Sequence, residues 1–155
     1  MTQLGQADGR VDPGMGYLDI AAFLAREGAA PDEDLPELWR RVVFNVCVSN
    51  TDDHLRNHGF LWTSEGWRLC PAYDLNPSTA RTELAIPYDG DHVELELELE
   101  LVREAASVYR LTSTESDRIV DQVITGVRQW RNVATRFGIH RAECEEMVGA
   151  FRAAE

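Results

Sequence analysis

The stretch NTDDHLRNHGFLWTSEGWRLCPAYDLNP, residues 50–77, decides how this chain is read. Its first third is crowded with ionisable and amide side chains and follows directly on an apolar, helix-like pattern. Its middle holds two short runs, Gly59-Phe60-Leu61-Trp62 and Trp67-Arg68-Leu69-Cys70, separated by Thr63-Ser64-Glu65-Gly66. Aromatic and apolar runs around a glycine-containing turn predict a β-hairpin. A tight hairpin returns the chain to where it left, so the polar loop from Asp52 to Asn57 and the loop carrying Asp74 are expected side by side. Trp62 and Trp67 then face each other as a cross-strand aromatic pair.

Upstream, Ile20, Phe23 and Leu24 fall at helical spacing within Tyr17–Glu27, and Gly28 supplies the stop. Asp34 and Glu37 form a capping-box pattern, with Pro36 in the first turn, that predicts the start of a second helix there. Leu35, Leu38, Trp39, Val42, Val43, Val46 and Cys47 cover more than half of its circumference, which marks it as the central, buried helix. Downstream, Leu84–Pro87 reads as an edge strand ended by its proline. Residues 93–101, VELELELEL, alternate with period two, but Leu and Glu are strong helix formers and Ala105, Ala106 and Val108 continue the pattern, so a helix from about Val93 to Tyr109 is expected. Its glutamates form a solvated acidic face.

Thr112 and Glu115 cap a long helix whose apolar face runs from Ile119 and Val120 through Val127, Trp130 and Ala134 to Phe137, with Gly138 at its end. A last helix over 141–153 brings Cys144, Met147, Val148 and Phe151 together. Trp39 and Trp130 sit on apolar faces and are expected in the core. Residues 1–16, rich in Gly, Gln and Asp, read as a flexible N-terminal segment, and 17–155 as one domain. The fold class is mainly α (α+β): a helical lobe carrying one small β-hairpin.

Composition narrows the function. No apolar stretch approaches the roughly 20 residues of a membrane span, and MTQLGQADGR lacks the pattern of a secretory signal. A cytoplasmic protein without membrane contact is expected. The three cysteines, Cys47, Cys70 and Cys144, have no CxxC spacing and read as buried thiols rather than zinc ligands. A net charge of −12 with no basic patch disfavours direct binding of nucleic acid. All 15 basic residues are arginines, so the chain supplies neither a Walker A lysine nor the lysine of a protein-kinase nucleotide lobe.

The candidate chemistry lies in the two loops around the hairpin. In the kinase catalytic loop D-x-x-x-x-N, the Asp accepts the substrate hydroxyl proton and the Asn holds Mg²⁺, while a later Asp holds the other metal position. Asp52 to Asn57 has that spacing, and Asp74 follows the second strand. Taken alone the spacing is equally that of turn residues and caps, with Asp74-Leu75-Asn76-Pro77 as an Asx turn before a proline.

NTDDHLRNHGFL followed by GWRLCPAYDLNP resembles the catalytic segment of HipA-like serine/threonine kinases, the toxin component of type II toxin–antitoxin pairs. The resemblance extends to YLDIAAFL and FNVCVSN upstream and to VRQWRNVATRFGI downstream. It implies ATP and Mg²⁺ as cofactors, Asp52 as general base, Asn57 and Asp74 as metal ligands, and His54 and Tyr73 as neighbours of the nucleotide. The family's N-terminal portion, with its phosphate-binding loop, ATP lysine and regulatory serine, has no counterpart in these residues. The resemblance therefore implies a C-terminal kinase lobe that is incomplete without an N-lobe.

Two alternatives stand beside it. One is a catalytically silent binding module that pairs with an antitoxin or a separately encoded N-lobe. The other is a metal-dependent phosphoesterase using the same acidic loops, with His58 and His92 joining Asp53 at the metal. Against that last set, a histidine in a polar loop is ordinarily solvated, and Asp53 is expected beside the site rather than in it.

Overall fold

The computed structural model describes residues 15–79, 103 and 105–154. It is mostly helical with one two-stranded antiparallel sheet. Helix α1 spans Tyr17–Glu27 and α2 spans Pro31–Cys47. The strands follow as β1 (Phe60–Thr63) and β2 (Gly66–Leu69), and then come α3 (Ser113–Val127), α4 (Trp130–Arg136) and α5 (Arg141–Met147). Short 3₁₀ segments occupy Leu55–Asn57, Ala105–Tyr109 and Val148–Ala154.

Helix α2 is the central element, as its apolar circumference predicts. It packs against α1, α3, β2 and the last two 3₁₀ segments. Leu35, Leu38, Trp39, Val42 and Val43 are fully buried, joined by Ile20 and Leu24 from α1 and by Ile119 and Val120 from α3. Trp39 lies 5.1 Å from the ring of Tyr109, and Trp130, partly buried, stacks on Phe151 at 4.3 Å. All three cysteines are free and buried. Burial pushes the Cys47 thiol up to about 11, which leaves it protonated and inert at neutral pH.

The start of α2 differs from the sequence expectation. The helix begins at Pro31, so Pro36 lies inside it rather than in the first turn and Asp34 does not cap it. The Asp34 carboxylate is drawn away by tertiary partners: it accepts from Arg68 Nε at 3.0 Å and from the Leu69 backbone N–H at 3.0 Å. Pro31 at the first position and three acidic residues in the first turn suit the positive end of the helix dipole without a side-chain cap.

The hairpin pairs Trp62 with Trp67 and Phe60 with Leu69, and the two indoles meet edge to face at 5.0 Å. An isolated two-stranded hairpin is marginal in water; this one leans on α1 through Phe23, whose ring is 4.6 Å from Phe60. Gly66, at φ +131°, closes the turn where a Cβ would lie 3.1 Å from the Glu27 carbonyl. Glycine is therefore required there twice, for the backbone angle and for the close approach to the α1–α2 linker.

Thr112 caps α3 as expected, its hydroxyl accepting from the Glu115 N–H while the Glu115 carboxylate accepts from the Thr112 N–H. The long helix predicted from there to Phe137 is interrupted at Arg128 and Gln129, giving α3 and α4. The last helix likewise ends at Met147 and continues as a 3₁₀ segment. The predicted edge strand at 84–87 and most of the helix predicted from Val93 lie outside the described residues, as do residues 1–14; Ala105–Tyr109, at the end of that helix, forms a 3₁₀ segment.

Candidate active site

The first loop leaves the end of α2 through Ser49, whose φ is +51°, and Asn50, whose N–H bonds to the Asn45 carbonyl at 2.8 Å. Two consecutive aspartates then go opposite ways. Asp53 is 1% exposed, and its carboxylate accepts from the Tyr17 hydroxyl, from Asn45 Nδ2 at 2.9 Å and from His58 Nε2 at 3.0 Å. Asn45 is itself oriented by Asn50, which donates to its side-chain oxygen at 3.0 Å, and the Asn45 amide also donates to the Tyr17 oxygen at 2.9 Å.

Burial, reinforced by the neighbouring Asp53 charge, holds the Tyr17 phenol well above its ordinary pKa, so it remains a donor. His58 packs edge-on against Tyr17 at 5.3 Å. Because a carboxylate only accepts, Nε2 of His58 carries the hydrogen toward Asp53; Nδ1 is buried without a partner among the described residues.

Asp52, by contrast, is exposed and makes no hydrogen bond among the described residues. His54 is half-buried, its Nδ1 buried and unpartnered among those residues. Asn57 is buried within the 3₁₀ turn, held by its backbone N–H to the His54 carbonyl at 2.8 Å, with its side-chain amide unengaged among the described residues.

The second loop is positioned by main-chain contacts. Buried Arg41 donates Nη2 to the Cys70 carbonyl at 2.6 Å, and the Ser78 N–H reaches the Val48 carbonyl at 3.3 Å. Tyr73, chiefly by desolvation, keeps its phenol above the usual pKa and donates it to the Arg56 carbonyl at 2.6 Å. That bond, with Cys70 N–H to the Gly59 carbonyl at 3.0 Å, ties the second loop to the first. Asp74 is exposed and left-handed at φ +58°, and its Oδ1 accepts from the Asn76 side chain at 2.6 Å.

The hairpin thus joins the two loops, as its tightness predicts, through Tyr73 and Arg56, and no hydrogen bond links Asp52, Asn57 and Asp74 among the described residues. The donors offered are hard oxygens on few residues, which suits Mg²⁺ shared with nucleotide phosphates and not a self-contained cage. Among the described residues no group of three His, Cys, Asp or Glu side chains could hold a metal. His58 is buried and bonded to Asp53 rather than solvated, and His92 lies outside the described residues. Tyr17 and Asn45, which reach this site from α1 and α2, carry no sign of that role in the motif itself.

The sequence matches the HipA-like C-terminal domain family over residues 1–155. The chain belongs to that family. It is also 32% identical over 69 residues to a Sinorhizobium fredii (strain NBRC 101917 / NGR234) protein named "Putative kinase Y4mE". That alignment covers 44% of this HipA-like chain and 16% of the relative. No solved structure matches the chain. No helix among the described residues is long and apolar enough to cross a membrane.

Proposed function

We propose that this HipA-like domain is the C-terminal lobe of a protein serine/threonine kinase of the toxin–antitoxin type, acting in the cytoplasm. In the step it serves, a serine or threonine oxygen bonds to the γ-phosphorus of ATP, the bond from that phosphorus to the ADP oxygen breaks, and the hydroxyl proton passes to Asp52. Asn57 and Asp74 would hold Mg²⁺, which would neutralise charge on the phosphates; His54 and Tyr73 would border the nucleotide. The observation that supports this most is the division of labour between neighbours. Asp53 is consumed by a buried anchor, while Asp52 stands exposed five residues before Asn57, on a loop tied by Tyr73 to the one bearing Asp74. Kinase catalysis is chiefly positioning and charge neutralisation; the chain has no lysine, and on this reading an N-lobe supplies the ATP lysine.

Calorimetric titration with ATP, with and without Mg²⁺, tests the reading. Mg²⁺-dependent binding is expected in the chain and is expected to vanish in Asp74→Ala; retention in that variant would remove Asp74 from the metal site. A second reading, a silent module that binds an antitoxin or N-lobe, draws on Leu61 and Trp62, which are 53% and 67% exposed on the hairpin. A chain that binds no nucleotide but shifts in sedimentation with a co-expressed neighbouring gene product would favour it.

A further inference from the structure

Asp53 directly follows Asp52, and His58 directly follows Asn57. The Asp53–His58 bond therefore joins the backbone one residue beyond each of the two groups assigned to chemistry. We propose that the Asp53–His58 pair, seated on Tyr17 and Asn45, is a clamp that closes the 52–58 loop and sets the separation and facing of Asp52 and Asn57. This rests on the kinase reading above.

The geometry gives the clamp its stiffness. Its carboxylate takes donors from three places in the fold, Tyr17 on α1, Asn45 on α2 and His58 at the loop's end, so the loop is rooted in two helices rather than in itself. With Asp53 drawn inward, its neighbour Asp52 stays exposed on the turn. Between the clamped ends the chain fits a single 3₁₀ turn, closed by Asn57 N–H to the His54 carbonyl and His58 N–H to the Leu55 carbonyl at 3.3 Å. Outer groups that orient a ligand-bearing segment typically change metal affinity roughly 10–100-fold when removed.

The Nδ1 of His58, unpartnered among the described residues, supplies a discriminating variant. In Asp53→Asn the side-chain oxygen still accepts from Tyr17 and Asn45, and its amide donates to Nε2 of His58, whose hydrogen moves to the vacant Nδ1. Asp53→Asn therefore keeps the clamp, whereas Asp53→Ala and His58→Ala break it.

Two readouts on the full chain test the clamp: amide hydrogen exchange across residues 51–59, and the gain in ATP affinity on adding Mg²⁺. Both alanine variants are expected to exchange those amides about tenfold faster or more, relative to whatever acceleration their loss of global stability produces in α3. Both should also lose roughly tenfold or more of the Mg²⁺-dependent gain while keeping their metal-free ATP affinity. Asp53→Asn should restore both towards the parent chain. Unchanged exchange in 51–59, exchange that accelerates equally in α3, or local loosening with the Mg²⁺ gain intact would each overturn the clamp. If the parent chain shows no Mg²⁺-dependent ATP binding, the kinase reading fails by itself and the exchange pattern alone decides the clamp. Should Asp53→Ala not fold, His58→Ala and Asp53→Asn separate a clamped loop from an unclamped one in the same two measurements.

Discussion

The two loops around the hairpin are held by opposite means. The loop before it sinks a carboxylate, Asp53, into a buried site where Tyr17, Asn45 and His58 donate to it. The loop after it keeps Tyr73 and Asp74 exposed and is fastened through main-chain groups, by Arg41 at Cys70, Tyr73 at Arg56 and Val48 at Ser78. One loop is anchored by a buried carboxylate of its own, and the other by bonds that all end on main-chain groups. Damage to the first should therefore cost fold stability, while damage to the second should loosen a segment and leave the core intact.

Asp53→Ala is the strongest way to break that comparison. It leaves three buried donors without their acceptor, and removing one partner from a buried polar network costs on the order of 3–5 kcal/mol. Asp52→Ala, one residue away and exposed, should change stability by no more than about 0.5 kcal/mol. Urea denaturation of the pair measures the difference; equal midpoints would mean that Asp53 is not an anchor.

Alkaline pH should come next. A group whose pKa is raised on folding keeps its proton in the folded chain after the unfolded chain has released it, so stability falls as pH rises. For Cys47 the window runs from 9.0 to about 11 and is worth roughly 2–3 kcal/mol at its upper end. For Tyr17 the fall begins near its ordinary value of 10.0 and continues above it. Urea midpoints at a series of pH values should decline through this range, with a shallower slope in Cys47→Ala between pH 9 and 11 and in Tyr17→Phe above that; parallel slopes would show that neither proton is linked to folding.

Arg41→Met probes the second loop. It deletes the bond to the Cys70 carbonyl, yet it also removes Nη1, which is buried without a partner among the described residues. The net loss should be about 1–2 kcal/mol, smaller than for Asp53→Ala, with faster exchange concentrated in residues 70–78. Exchange rising equally in 51–59 would show that the loops behave as one unit.

These contrasts also mark what the sequence could carry. Helix α1 was legible to its ends because an apolar stripe and a following glycine are local signals, and so was the Trp62–Trp67 register, which a short turn dictates. The start of α2 was not, because the ligands of the Asp34 carboxylate lie 34 and 35 residues away on β2. The same distance effect hides the anchor. The motif shows two aspartates in a row, but which of them is buried depends on Tyr17, 36 residues upstream. A motif names the chemistry available to a loop, and the packing partners decide which copy of a side chain remains free to perform it.

A small stability effect belongs to Asp74 and carries the sharpest contrast. At φ +58° a side chain other than glycine is strained. Asp74→Gly removes that strain and, with it, the bond to the exposed Asn76 amide. A glycine also gives the unfolded chain more freedom, so the net change should lie within about 1 kcal/mol of zero. If Asp74 is held in this conformation to present its carboxylate to Mg²⁺, the variant will match the parent in urea and lose Mg²⁺-dependent ATP binding. A large drop in stability with binding retained would instead assign Asp74 to the turn, as one more residue fixing how the second loop leaves the hairpin.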